Sequence, residues 1–327
     1  MKQNKFMILG ILSILLLTYQ NVYAKKIVIR YAGGMSMSHH ITQTMEHFAK
    51  LVTEKSEERV KVELYPASEL FSHKDLPTAI SSGAVDFAEM DCSKMGGLSE
   101  VAGMSTMSFL FKDWEHTIRV HEDARSLIDK ELESHGTKLI FFMPYGKDVA
   151  PITVDKQINK LDDLKGLKIR GIGEISSRWL EAAGASSTYI SSPEVYHALS
   201  TGAIDGAMSG WGSYYNRKWY EVSKYILGNT FNHAMFATVV NLKKWKKLPQ
   251  DIQNIIIQAG KEAQSWELEK VENEDNRYMT LLEKEGIIIN YLSPEELEKC
   301  KNLMEPIYKE WASRTEGTAI LMKQLKQ

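Results

Sequence analysis

Hydrophobic and polar positions along the first part of the chain follow two different periods. The run from Lys26 to Tyr31 is rich in β-branched residues, and apolar side chains alternate with charged ones from Val60 to Leu64 before Pro66. Both segments therefore predict strands. Between them, apolar residues recur every three to four positions from Ser38 to Val52, which predicts a helix. A strand, a helix and a second strand in this order are typical of a mostly parallel sheet.

A ten-residue segment occurs twice in the chain. Residues Ala79 to Ala88 and Ala198 to Ala207 share six identical positions and three conservative differences. Each copy predicts the end of a helix, a glycine and a short strand. Gly83 and Gly202 stand where a helix ends in the left-handed conformation, which glycine adopts at low cost. The duplication predicts two similar α/β lobes, and two lobes in one chain form a cleft that can bind a ligand.

Further segments indicate where the chain crosses between the lobes. The strand predicted from Lys138 to Met143 is broken by Pro144-Tyr145-Gly146, and the chain is expected to enter the second lobe after that break. It is expected to return in the β-rich run from Phe236 to Val240. The predicted domains are a signal segment over residues 1–24, a first lobe over 25–146 plus 236–275, and a second lobe over 147–235 plus 276–327.

Three longer helices are predicted outside the repeats, over Trp114 to His135, Pro249 to Glu285 and Glu295 to Arg314. Pro249 fits the first turn of its helix, where a missing N–H costs nothing. No low-complexity linker separates the predicted elements. Several crossings without a flexible linker favour a hinge between the lobes over two independent domains.

The first 24 residues have the pattern of a secretory signal peptide. Lys2 and Lys5 precede an apolar run from Phe6 to Leu17, and small residues near Ala24 provide a cleavage site. The alternative, a membrane anchor, needs about 20 apolar residues, and this run is shorter. We therefore expect export, cleavage after Ala24 and no membrane insertion of the mature chain.

Composition excludes several classes of partner. The formal net charge of the 327 residues is −2, which argues against nucleic-acid binding and against a polybasic face for a membrane. Any attraction for an anionic ligand must therefore be local. The two cysteines, Cys92 and Cys300, are too few for a disulfide framework or a zinc site. Export permits a disulfide between them, but two unpaired thiols are the favoured interpretation.

Arg170 is the strongest candidate for chemistry. It ends a short predicted strand over Leu167 to Arg170, and ligands of open α/β folds bind beyond the carboxyl ends of strands. A guanidinium there offers a planar fork that matches a carboxylate. A structural arginine in a surface ion pair is the alternative. The following Gly171-Ile172-Gly173 lacks the third glycine of a dinucleotide loop.

No catalytic or metal-binding signature accompanies this arginine. The adjacent His39 and His40 diverge on a helix, and no His-Glu-x-x-His motif or paired carboxylate joins them, so we expect a role at the helix start. A nucleophile elbow is missing, and Cys92 has no recognisable nucleophile signature. Neither a cofactor nor a metal is therefore predicted, and catalysis has no positive support.

The segments that follow the two repeats are candidates for the cleft walls. Ser209, Trp211 and Tyr214 come directly after the second repeat, and Asp91 and Lys94 occupy the matching place after the first. Pseudo-symmetry predicts that both segments face the cleft. The aromatic rings of Trp211, Tyr214 and Tyr145 could stack on a flat acid, or they could be ordinary core residues.

Several segments together resemble one known family. They are Leu161-Asp-Asp-Leu-Lys-Gly-Leu-Lys-Ile-Arg170, Gly184-Ala185, and the run from Pro193-Glu-Val-Tyr-His to Asp205-Gly206. Tyr65-Pro-Ala-Ser-Glu-Leu70 and Tyr220-Glu-Val-Ser-Lys-Tyr225 also fit. The chain closely resembles the DctP-type solute-binding proteins of tripartite ATP-independent periplasmic (TRAP) transporters, and the resemblance covers essentially the whole mature chain.

The resemblance implies a two-lobed α/β periplasmic solute-binding fold with mixed sheets, hinge crossings and long C-terminal helices. It implies that the arginine at position 170 forms a salt bridge with a carboxylate of a small organic acid. The family's pocket also draws on the segments that match Asp91 to Lys94, Ser209 to Trp211 and Gly34 to Ser36. The implied partners are the small and large membrane subunits of a TRAP permease.

Two places in the chain depart from the family pattern and change which ligand and which metal site we expect. The second pocket arginine of sialic-acid-binding members is replaced by Ala150, which weakens a sialic acid assignment. Met208 and Ser209 stand where many members have an acidic and a polar residue, so a ligand-linked metal is not expected. A ligand-sensing module that binds a membrane receptor and, less favoured, a secreted enzyme acting on small acids are the competing interpretations.

Overall fold

The computed structural model describes residues 26–95, 97–146 and 149–325, without the side chains of residues 149 and 150. The predicted signal segment and its cleavage site after Ala24 lie outside the described residues. Two β-sheets form the framework, one of five strands and one of six, and helices cover both. The fold is thus of the two-lobed α/β class, with one sheet in each lobe.

The first sheet is mixed and has the strand order β2-β1-β3-β10-β4. Strand β1 pairs in parallel with β2 and β3, whereas β10 runs antiparallel to both β3 and β4. The sheet consists of β1 (Ile27–Ala32), β2 (Val60–Tyr65), β3 (Phe87–Asp91), β4 (Thr137–Gly146) and β10 (Ala234–Asn241). The β-rich run near Phe236, where the chain is expected to return to the first lobe, forms β10, which lies between β3 and β4 of this sheet.

The second sheet has the order β11-β9-β5-β8-β6-β7. Strand β6 pairs in parallel with β7 and β8, and β5 runs antiparallel to β8 and β9. Its strands are β5 (Val149–Thr153), β6 (Lys168–Arg170), β7 (Ser186–Thr188), β8 (Gly206–Gly210), β9 (Tyr225–Leu227) and β11 (Ile288–Asn290). The carboxyl ends of β7, β6 and β8 therefore meet at one edge of the sheet.

Helices in the described ranges pack around both sheets. Those before the return strand are α1 (His40–Lys55), α2 (Leu76–Ser82), α3 (Trp114–Asp123), α4 (Arg125–Ser134), α5 (Glu174–Ala182), α6 (Val195–Ser200) and α7 (Trp211–Asn216). Those after it are α8 (Leu242–Trp245), α9 (Gln250–Lys284), α10 (Pro294–Asn302), α11 (Glu305–Ala312) and α12 (Glu316–Leu325). Short 3-10 turns cover Cys92–Lys94, Val101–Thr106, Leu161–Leu164, Ser192–Glu194 and Trp219–Val222. Among these described helices, none combines the length and the hydrophobicity of a membrane span.

The repeated segment forms the predicted unit in both lobes. Helix α2 ends at Gly83 with φ 81°, and Gly202, two residues after α6, has φ 70°. The strands that follow, β3 and β8, occupy interior positions of the two sheets. Gly83 and Gly202 thus end helices in the left-handed conformation, as predicted from the duplication.

Two helix boundaries and one strand boundary differ from the predictions. Strand β4 continues through Pro144 to Gly146, because β4 is an edge strand with an irregular pairing near Met235, and such a strand tolerates a missing N–H. The helix predicted from Glu295 to Arg314 is divided, and Pro306 lies in the first turn of α11, where proline starts a helix. The helix predicted from Trp114 to His135 is divided at Ala124.

The C-terminal helices contact both lobes. Arg314 pairs with Glu100 at 3.2 Å and also with Glu174 at the start of α5, and Thr315 Oγ1 donates to Glu131 of α4 at 3.1 Å. The predicted second-lobe range 276–327 therefore also packs against the first lobe, and the exact lobe boundaries stay a proposal. Cys92 and Cys300 are both buried free thiols, which confirms the favoured interpretation.

Candidate binding site

The guanidinium of Arg170 is held by oxygen atoms near the ends of the two strands that flank β6. Its Nε donates to the Ile190 carbonyl at 3.0 Å, Nη1 to the Met208 carbonyl at 2.8 Å, and Nη2 to Ser192 Oγ at 3.2 Å. Ile190 and Ser192 follow β7, Met208 belongs to β8, and β6 lies between those strands. The parallel arrangement of β7, β6 and β8 thus fixes the guanidinium beyond their carboxyl ends, where the sequence placed a ligand site.

The guanidinium retains donors that the described residues do not use. Three of its five N–H groups are occupied, which leaves one on Nη1 and one on Nη2. Arg170 is only 2% exposed, and no described carboxylate lies within 4.0 Å of it, so the alternative of a surface ion pair is wrong. Burial lowers the pKa of Arg170, an effect that Tyr189, Tyr145 and Asp91 oppose, yet arginine stays charged in proteins.

A cavity lies in front of this guanidinium. Its walls come from both lobes and combine charged groups, hydroxyls and a few apolar side chains. From the first lobe the lining residues are Met35, His73, Asp91, Ser93, Lys94, Ser105, Thr106, Tyr145, Asn232, Ala234, Met235 and Phe236. From the second lobe they are Arg170, Ile172, Ser192, Ser209, Gly210, Ser213 and Arg217. Of the sequence candidates, Arg170, Asp91, Lys94, Tyr145 and Ser209 meet at this cavity.

Asp91 and Lys94 form an ion pair at the end of β3. Lys94 Nζ lies 3.0 Å from Asp91 Oδ2, and the Ser93 amide donates to Asp91 Oδ1 at 2.9 Å. Burial alone would raise the pKa of the Asp91 carboxyl, but Lys94, Ser93 and His73 lower it below its usual value. Asp91 therefore stays ionised near neutral pH and compensates the charge of Lys94.

Tyr145 closes the cavity near the first crossing between the lobes. Its ring stacks on Phe236 with the ring centres 5.0 Å apart, and it stacks on His39 at 5.4 Å. Its hydroxyl lies 2.5 Å from Ser213 Oγ on α7. Because β4 belongs to the first lobe and α7 to the second, this hydrogen bond joins the lobes beside the cavity.

Trp211 and Tyr214 lie in the hydrophobic core and do not line the cavity. Both side chains are 0% exposed, and their rings pack at 6.2 Å, with Trp219 beside Tyr214. Residues 211 and 214 share one face of α7, since side chains three positions apart lie together on a helix. Ser213 and Arg217, four positions apart, share the other face and reach the cavity. The predicted stacking role of Trp211 and Tyr214 is therefore corrected to core packing.

The loop between β1 and α1 contributes a different residue from those predicted. Met35 lines the cavity, whereas Ser36 is exposed and lies 3.3 Å from the hydroxyl of Ser38. Gly34 lines an adjoining groove, and its N–H donates to Glu89 Oε2 at 2.7 Å.

Sequence reasoning missed several groups that converge on the cavity. His73 pairs with Glu89 at 3.1 Å, and Asn232 is 3% exposed. Asn232 Oδ1 and Ser93 Oγ are buried without a hydrogen-bond partner among the described residues. His73 and Asn232 lie in loops that only the folded chain brings to Arg170. Arg217, in contrast, could have been found from its spacing of four residues from Ser213.

A buried histidine and carboxylate lie behind Tyr145. His40 Nδ1 is hydrogen-bonded to Glu267 of α9, and Thr44 Oγ1 donates to the same carboxylate. The neighbouring His39 accepts from the Ile41 amide at 3.2 Å and so starts α1, which confirms the role at the helix start for His39 but not for His40. The expectation that the two side chains diverge is wrong, because His39 precedes the first helical turn and its ring stacks on that of His40 with the ring centres 4.4 Å apart. Burial alone would lower the pKa of His40, but Glu267 and Asp275 raise it above its usual value.

Stability is expected to depend on pH through His40. A raised folded-state pKa means that the contribution is complete below the unfolded pKa of about 6.5 and is lost as pH rises through the folded-state value. The loss of unfolding free energy caused by His40→Asn should therefore be larger at pH 6 than at pH 9, measured by urea denaturation. His197→Asn, at an exposed position of α6, is the matched control. Equal losses for His40→Asn at both pH values would contradict the ion pair.

The donor set of the described residues suits an anion better than a metal ion. Among those residues, no cluster of three or more histidine, cysteine, aspartate or glutamate side chains could hold a metal. The cavity instead offers N–H groups, hydroxyls and an amide. What the arrangement can do chemically is bind a carboxylate and satisfy the polar groups next to it.

Comparisons with known proteins agree with this geometry. A family model described as DctP, bacterial extracellular solute-binding protein, family 7, matches residues 31–315. A solute-binding protein from Sulfitobacter sp. strain NAS-14.1 is 28% identical over 284 residues, which cover 86% of this chain and 84% of the relative. The C4-dicarboxylate-binding periplasmic protein DctP of Rhodobacter capsulatus is 25% identical over 296 residues, 89% of this chain and 88% of that protein.

A solved structure shows the same fold. The crystal structure of a TRAP periplasmic solute-binding protein from Sulfitobacter sp. NAS-14.1 with bound β-D-galacturonate matches with a TM-score of 0.84 and 22% identity. The match covers 90% of this chain and 97% of that chain. The two-lobed architecture predicted from the duplicated segment is therefore confirmed.

Proposed function

Since the chain belongs to the DctP family, family 7 of the bacterial extracellular solute-binding proteins, we propose that it captures a small organic acid beside Arg170. The observation that carries this proposal is a buried guanidinium with unused donors and no described carboxylate partner. Leaving a buried charge unpaired is costly. A ligand carboxylate that accepts from Nη1 and Nη2 removes this cost through two charge-assisted hydrogen bonds.

Closure of the lobes couples binding to transport in this proposal. Residues of both lobes line the cavity, so a ligand makes its full set of contacts only when the lobes are closed. A ligand that binds one state more tightly shifts the population toward that state. We propose that the closed form delivers the acid to the small and large membrane subunits of a TRAP permease. The chain itself supplies no chemical step.

The neighbour with bound β-D-galacturonate supports an acid as the ligand, because that sugar carries a carboxylate. The C4-dicarboxylate-binding relative supports the same chemical class. A sensory role is the second candidate, since a closed solute-binding protein can also present itself to a receptor. Uptake of the acid into vesicles that contain the permease subunits, measured with and without this protein, separates delivery from sensing.

A thermal-shift screen tests the capture of acids. A carboxylic acid present at 100 times its Kd should stabilise the folded protein by about 2.7 kcal/mol, which corresponds to a rise in Tm of several degrees, on the order of 5 °C. The carboxamide of the same acid is the matched control and should give no rise. Equal shifts for acid and amide, or no shift with any acid of a broad panel, would contradict the proposal.

A further inference from the structure

A second cation faces the cavity without a partner among the described residues. Arg217 makes no ion pair and no side-chain hydrogen bond with the residues that the structure describes. Lys94, the other cation in the lining besides Arg170, is compensated by Asp91 at 3.0 Å. The described lining therefore contains two guanidinium groups, those of Arg170 and Arg217, that form no ion pair with a described carboxylate.

The two arginines occupy different parts of the site. Arg170 is 2% exposed and lines the cavity but not the adjoining groove. Arg217 is half-buried and lines both the cavity and the groove. His73, Lys94 and Ser192 line both spaces as well. Arg217 therefore stands where the cavity opens into the groove, and Arg170 stands at its inner wall.

The backbone fixes the position of Arg217. It directly follows α7, and its N–H donates to the Ser213 carbonyl at 3.1 Å. Trp211 and Tyr214 anchor the opposite face of α7 in the core. The side chain of Arg217 is therefore presented to the cavity by a short helix that the core holds in place.

We propose that Arg217 binds a second anionic group of the ligand, so that the site selects acids with two negative charges over acids with one. This inference rests on the proposed function, since it assigns the first carboxylate to Arg170. A single carboxylate bound at Arg170 leaves the guanidinium of Arg217 without an anionic partner. A second anionic group that accepts from this guanidinium provides that partner, and a charge-assisted hydrogen bond is stronger than a neutral one.

Matched pairs of acids with the same carbon skeleton test the selection. The probes are succinate and butyrate, glutarate and pentanoate, and phthalate and benzoate, titrated calorimetrically at pH 7.5. We expect the wild-type protein to bind the diacid of the best pair about tenfold more tightly than the monoacid, or more. In Arg217→Gln this ratio should fall to near one, whereas Arg217→Lys, which keeps the charge, should retain most of it.

A surface arginine provides the control variant. Arg59 is 46% exposed and pairs with Asp251 on the outside of the first lobe, so Arg59→Gln should leave the ratio unchanged. Circular dichroism confirms that each variant is folded. Monoacids that bind the wild-type protein as tightly as diacids, or a ratio that survives in Arg217→Gln, would overturn this inference and leave acid capture intact. Failure of every acid to bind would overturn the proposed function itself.

Discussion

Arg170→Ala is expected to weaken binding of the acid by about 30-fold or more, since truncating one partner of a buried charge pair costs about 2–5 kcal/mol. The other cations of the lining do not occupy its place, because Lys94 is paired with Asp91 and Arg217 lies where the cavity opens into the groove. Calorimetric titration of wild type and variant with the acid found by the thermal screen measures the effect. The variant should remain folded but lose some stability, because Ile190, Met208 and Ser192 lose their donor.

A matched variant separates this effect from a general loss of charge. Arg178 lies on α5 of the same lobe, is about one-third exposed and pairs with Glu310 at the surface. Arg178→Ala should leave the affinity unchanged. Equal affinities of Arg170→Ala and wild type would exclude the proposed salt bridge.

Trp211→Ala is expected to reduce the free energy of unfolding by about 3–5 kcal/mol, the usual cost of removing a fully buried tryptophan. Trp211 is 0% exposed and packs on Tyr214 in the core of the second lobe. Urea denaturation of the ligand-free protein measures this loss. The affinity per folded molecule should stay close to that of wild type, because Trp211 does not line the cavity.

A second tryptophan shows what a less buried ring contributes. Trp266 is half-buried on α9, where it stacks on His47 with ring centres 4.6 Å apart. Trp266→Ala should therefore reduce the unfolding free energy by much less than Trp211→Ala. If Trp211→Ala kept the stability of wild type but lost affinity for the ligand, Trp211 would contact the ligand and the assignment to the core would be wrong.

The sequence predicted correctly those features that depend on neighbouring residues along the chain. Gly83 and Gly202 end their helices with positive φ because no other residue adopts that conformation so cheaply. Arg170 was found for a similar reason, since the end of a parallel strand lies at the ligand edge of such a sheet. Asp91 ends β3 and Ser209 lies near the end of β8, and these matching positions of the two sheets both line the cavity.

The missed features depend on the three-dimensional neighbourhood. Pro144 predicts the end of a strand, and only the sheet order shows that β4 is an edge strand, which tolerates a proline. The sequence around Trp211 is rich in aromatic residues. Whether their side chains pack in the core or line the cavity depends on which face of α7 meets the second sheet. Asn232 and His73 are separated from Arg170 by many residues of chain, so no local pattern brings them together.

The most direct test of the central claim is a crystal structure of the protein with the bound acid. We expect one carboxylate of the ligand to accept hydrogen bonds from Nη1 and Nη2 of Arg170, at about 2.7–2.9 Å. A ligand whose acid group binds elsewhere, with Arg170 still contacting only Ile190, Met208 and Ser192, would contradict the account.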